Sequence, residues 1–253
     1  MDKDRIKAMA QNPDFIPGIY NYCDRWCERC AFTSRCMNYA MGQELSSKQQ
    51  ESDEMNASFW ESISDMFEMT MSLLYDLAQE RGIDLDAAME AEDGGHEQAM
   101  EQAKGHICTI LAQKYVALAK SWLEDSQIWD SDVQLSIPGV IAAGEAPGME
   151  EAREIISWYL YLIQAKIMRA LRGKAESEGR DSGDSDRDAE GSAKVALIGI
   201  DRSLAAWALV HENVHQGGEG LQDVMLCLER LRRKVEAVFP KARDFVRPGF
   251  DEE

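Results

Sequence analysis

The run IISWYLYLIQAKIMRAL, Ile155 to Leu171, decides the fold. Thirteen of its seventeen residues are apolar or aromatic. It falls short of the roughly 20 residues needed to cross a bilayer, and Lys166 and Arg169 interrupt it. A helix that is apolar almost all round belongs at the centre of a bundle. Its span is about Glu150–Arg172, the third of five helical patterns.

Working outward, a fourth helix is expected over about Ser192–His215, carrying AKVALIGIDRSLAAWALV. The glycine-rich QGGEG breaks it, and a fifth runs over about Leu221–Phe239. Upstream, Phe59, Ile63, Met66, Phe67, Leu73, Leu74 and Leu77 recur at three- and four-residue spacings and predict a first helix, about Asp53–Arg81. The acidic EAEDGGHE separates it from a second, about Glu97–Asp125, and SIPGVIAAGEAPGM reads as a loop. No segment alternates with period two for long enough to make a strand. The expected fold is all-α, a bundle of four to five long helices with an N-terminal four-cysteine metal knuckle.

The expected organisation has four parts. Residues 1–50 form an N-terminal arm with the knuckle, its NPDFIPGIYNY segment extended on the core, and 51–172 hold the first three helices. Residues 173–191, GKAESEGRDSGDSDRDAEG, carry no large apolar side chain and read as a disordered acidic linker. Residues 192–253 complete the same bundle and end in a tail with two aromatics, Phe245 and Phe250.

The arm holds the densest chemistry, in YCDRWCERCAFTSRC, Tyr22–Cys36. The spacing Cys23-x3-Cys27-x2-Cys30-x5-Cys36 allows four thiols to converge on one ion. Tetrahedral zinc takes four thiolates, and so does a [4Fe–4S] cluster. The N-terminus MDKDRIKAMAQNPDF lacks a signal-peptide pattern, so a cytoplasmic, reducing location is expected and disulfides are disfavoured. Zinc knuckles usually use two separated Cys pairs, which tilts this single compact run slightly towards iron–sulfur ligation. Arg25, Arg29 and Arg35 outnumber Asp24 and Glu28 and are expected to offset thiolate charge.

The first three cysteines resemble the Cys-x3-Cys-x2-Cys of radical-SAM enzymes, and the last three the Cys-x2-Cys-x5-Cys of their auxiliary-cluster domains. Arg29 stands where that family places an aromatic, and no strand series follows. The stretch CDRWCERC…FTSRC, with AKVALIGIDRSLAAW and FVRPGFD, also resembles a bacterial helical family. That resemblance implies a helical architecture and no particular activity. Cys108 and Cys227 sit singly on apolar helix faces, where cysteine acts as a small hydrophobe.

Two further constellations lie in the fourth helix. HENVH, His211–His215, matches the zinc-hydrolase pattern with Glu212 as general base. Gly217, Gly218 and Gly220 cut the helix directly after it, which favours a solvated helix end. Glu212-x2-His215 is also half of a di-metal carboxylate set, but a second Glu-x2-His pair is absent. Asp201 and Arg202 lie within an apolar run, as do Lys166 and Arg169 on the third helix. Burying any of these unpaired is costly, so a buried or half-buried network of Asp201 with Lys166, Arg169 or Arg202 is expected. Trp158, Tyr159, Tyr161 and Trp207 are expected in the core.

The net charge of −19 disfavours nucleic acid and anionic membranes as partners. From Glu229 to Arg247, seven basic residues stand against three acidic ones. That segment is expected to dock on the chain's own acidic surface or on a protein partner. Two functions follow, a metal-binding helical protein with a redox or sensing role, or an interaction scaffold with a structural zinc knuckle. An enzyme site around Asp201, Lys166 and Glu212 has the least support, and nothing specifies the oligomeric state.

Overall fold

In a computed structural model of the chain, residues 3–49, 57–124, 129, 148–177, 183–214, 218 and 220–251 are described. Among these there is no strand, and eight α-helices carry the fold: α1 Lys3–Ala10, α2 Met37–Gln49, α3 Ala57–Glu80, α4 Leu85–Gly105, α5 Ile107–Leu123, α6 Met149–Ser177, α7 Gly183–Asn213 and α8 Leu221–Val238. The all-α expectation holds. The chain divides into two compact units, Met1–Gly95 with Val246–Glu253, and His96–Phe245. The expected single bundle of 51–253 therefore splits, with the division inside α4.

The second unit is a ring of four helices. α5 packs on α6 and α8, α6 on α7, and α7 on α8, with α6 and α7 the most extensive pair. Ile156, Tyr159, Leu160, Ile163, Ile167, Ala170 and Leu171 of α6 are buried. They recur at helical spacing, as the apolar run demands. α7 answers with small residues, Ala189, Ser192, Ala193, Ala196 and Ser203. Gly199 marks the closest approach, because a Cβ there would lie 2.8 Å from Tyr159 Cδ1 and 3.1 Å from Ile163 Cγ1. The pairs Tyr159–Gly199 and Arg169–Asp188 run down one helix and up the other, so the two are antiparallel. Across the core, Trp207 Nε1–H donates to Tyr115 Oη at 3.2 Å, and both side chains are fully buried.

Several boundaries differ from the sequence reading. The predicted linker 173–191 is helical on both sides, in the last turn and a half of α6 and the first turns of α7, while 178–182 lie outside the described residues. Gly191 and Ala189 are buried there, so tight backbone approach replaces the missing large side chains. Charge pairs reinforce the stretch, Arg169–Asp188 at 2.7 Å and Arg172–Glu176 at 3.5 Å.

EAEDGGHE lies inside α4 rather than between helices. The real break is at His106, whose extended backbone ends α4 and whose Nδ1 accepts the Cys108 N–H at 3.1 Å as the cap of α5. The SIPGVIAAGEAPGM loop falls outside the described residues up to Gly148.

In the first unit, NPDFIPGIYNY is not extended but turned. Gly18 adopts φ +73°, and Ile16 N–H donates to Arg35 O at 3.0 Å. The apolar stripe of α3 is exposed at Phe67, Leu74 and Leu77. The side chains of Phe59, Ile63 and Met66 lie outside the description.

Candidate metal centre

The cysteine stretch is held by three single turns of 3-10 helix, Ile19–Asn21, Cys27–Arg29 and Thr33–Arg35. Short polar side chains set the entry. Asp24 Oδ1 accepts the Trp26 N–H at 3.2 Å, and Cys27 N–H donates back to Arg25 O at 3.0 Å. Trp26, at φ −83° and ψ 73°, is the centre of an inverse γ-turn. Arg25 takes φ 62°, a left-handed position that a non-glycine residue holds only under constraint from its surroundings. Trp26 is buried, and the Arg29 guanidinium stacks 4.3 Å from its ring centroid.

These turns bring the four predicted cysteines to one place. Cys23, Cys27, Cys30 and Cys36 all line a single cavity of about 20 Å³, with Ile19, Tyr20, Trp26, Tyr39 and Phe250 among its walls. That is room for one ion or water. The thiols are half-buried and reduced. The Phe32 N–H points at Cys30 Sγ at 3.4 Å, and Cys23 Sγ–H donates to Tyr20 O at 3.5 Å.

Burial pushes the Cys27 thiol up, and the fields of Cys23, Cys36, Cys30 and Glu28 push the same way. None of the three arginines is among the groups that shift it, and Arg29 is turned onto Trp26 instead. Among the described residues, no group of three or more His, Cys, Asp or Glu side chains stands so that it could hold a metal ion. The thiols therefore face one cavity without standing at ligand spacing. Four cysteine side chains are the donor type that a thiophilic cation takes.

The C-terminal segment completes the wall. Phe250 meets Phe32 edge-on at 5.1 Å between ring centroids. Arg247 pairs with Asp251 at 2.9 Å, closing the turn that carries Phe250. Gly249 has φ +76°, and a Cβ there would lie 2.8 Å from Ile16 Cδ1. Sequence reading placed two aromatics, Phe245 and Phe250, in the tail. It had no signal that one of them would border the cysteines.

The predicted polar network takes other partners. Asp201 does not pair with Lys166, Arg169 or Arg202. Arg243 from the segment after α8 grips it with two N–H groups, at 2.5 and 3.3 Å, and Arg232 of α8 approaches to 3.7 Å. Arg243 also reaches Glu236 at 2.8 Å. The physical reason is register, since Asp201 stands on the face of α7 towards α8 while Lys166 is buried in α6.

Arg169 pairs with Asp188, and Arg202 donates to Tyr159 Oη. The basic segment does dock on the chain's own acidic groups. His211 and Glu212 are exposed on the last turn of α7, and His215 lies outside the described residues. Cys108 and Cys227 are buried in the core. Tyr159 and Trp207 are core residues as expected, whereas Tyr161 is 58% exposed.

No family model, curated protein or solved structure matches this chain.

Proposed function

We propose that this chain is a metal-binding helical protein whose Cys23, Cys27, Cys30 and Cys36 hold a metal as thiolates. The observation that carries the reading is the shared cavity, because four cysteines from a fourteen-residue stretch line one space. Among the described residues the loop buries few side chains. Its turns bury Ile19 and Trp26, and Cys27–Arg29 and Thr33–Arg35 bury nothing. A small, poorly packed loop is the kind of structure that metal ligation stabilises. On this reading zinc is a staple, and the protein works through its helical surfaces as an interaction or scaffold protein in the cytoplasm.

The compact 3-2-5 spacing supports a second metal, a [4Fe–4S] cluster with a redox or sensing role. Anaerobic purification with absorbance and metal analysis separates the two. A colourless protein with one zinc per chain supports the staple. A brown protein with about four irons and labile sulfide supports the cluster. Metal-free protein that keeps its N-terminal loop folded overturns both.

A further inference from the structure

We propose that α3 of one copy of this chain docks on the α5–α8 face of a second copy, so that the protein forms a homodimer. Two exposed surfaces of complementary chemistry carry the inference. The first lies in the second unit, where α5 and α8 run antiparallel, with Trp122 beside Gly220 and Leu111 O accepting from Cys227 Sγ–H. Along their seam is an open cleft of about 190 Å³. Leu111, Leu118 and Leu226 give it apolar walls, and Lys114, Arg230 and Asp223 stand at its edges. Ile107 and Ile110 continue the α5 side by helical spacing, and both are exposed, as is Leu226. Lys234, one turn beyond Arg230, brings a third cation to the Cys108 end of the seam. Lys114, Arg230 and Lys234 form no ion pair among the described residues.

The second surface is α3. Phe67, Met71, Leu74 and Leu77 share one helix face, and all but the half-buried Met71 are exposed. The helix carries Glu61, Asp65, Glu68, Asp76 and Glu80 and no Lys, Arg or His. Asp76 is paired with Lys3 at 2.9 Å, while Asp65, Glu68 and Glu80 are exposed.

The two surfaces match in charge and in length. An acidic helix with an apolar face suits a cleft that has apolar walls and three cations against one carboxylate. At 1.5 Å per residue, Ile107 to Leu118 spans about 16 Å and Phe67 to Leu77 about 15 Å. The occupant is a second copy because the chain itself supplies the helix that its cleft fits. Both surfaces stand open on one chain, so two copies can exchange α3 reciprocally and make the contact twice. Doubling brings a single-helix contact towards the roughly 1,200–2,000 Å² that stable interfaces bury. The net charge of −19 repels two copies at long range, so the local match of α3 with these cations selects the contact.

Sedimentation velocity on the full chain, over a concentration series up to about 100 μM, tests the proposal. A reversible dimer is expected. Phe67→Ser/Leu74→Ser on α3 and Lys114→Glu/Arg230→Glu on the cleft should each weaken it about tenfold or more, with helical circular dichroism retained. Should one double variant not fold, the other carries the test. Mixing the two variants should restore association, because one intact α3 then meets one intact cleft. A wild type that stays monomeric throughout, a dimer that either variant leaves intact, or a mixture no tighter than its components overturns the proposal. A monomeric chain that binds an added acidic amphipathic peptide overturns it too, since the cleft then serves a different protein.

Discussion

At Gly199 a single methyl group would meet Tyr159 and Ile163 in the tightest helix contact of the second unit. Gly199→Ala is therefore expected to cost about 1–3 kcal/mol through overpacking, despite alanine's better helix propensity. Urea denaturation measures it, and a neutral or stabilising effect would mean that α6 and α7 separate freely. Cys108 is the other informative residue. Burial raises its thiol from 9.0 to about 11, so the unfolded chain ionises first as pH rises. Its contribution to stability is complete below about pH 9 and is lost between pH 9 and about 11. Tyr115, raised by burial from 10.0 to about 12, extends the decline. Denaturation midpoints against pH should fall less steeply over 9–11 for Cys108→Ala than for the wild type. Cys108 was legible as a core residue, but the Gly199 contact was not, because a lone glycine in a helix does not announce its neighbour.

Among the elements, α6 and α8 were the most legible, since their apolar residues recur at helical spacing and glycines bound α8. The stretch 173–191 was misread because absence of large apolar residues was taken as absence of packing. At 183–191 small residues such as Ala189 let the chain approach closely, and both flanking helices extend into the stretch, to Ser177 and from Gly183, at little nucleation cost. Asp201 was correctly read as paired, but its partner lies 42 residues away in sequence, where spacing carries no information. Because the pair is half-exposed, Asp201→Ala is expected to cost no more than about 1 kcal/mol in urea denaturation. A loss of several kcal/mol would instead mark an uncompensated buried charge. In the cysteine loop, the Phe250–Phe32 contact is worth about 1 kcal/mol on the scale of aromatic pairs. Phe250→Ala should accordingly speed metal release to a chelator severalfold, and an unchanged rate would detach the C-terminal segment from the site.

For the whole molecule, charge and chemistry are divided between two units. In the four-helix unit Arg232 and Arg243 carry part of the basic segment onto Asp201 of α7. No helix among the described residues is long and apolar enough to cross a membrane. The four cysteines were the part of the candidate site most readable from sequence, since short spacings let the thiols share one cavity once the chain turns between them. Ligand spacing among the thiols was not readable, and it is not present among the described residues. X-ray absorption at the metal edge of anaerobically purified protein tests this most directly. The account predicts a shell of four sulfurs at about 2.3 Å that is lost in Cys30→Ser. A shell of nitrogen and oxygen, or a folded protein with no bound metal, would contradict it.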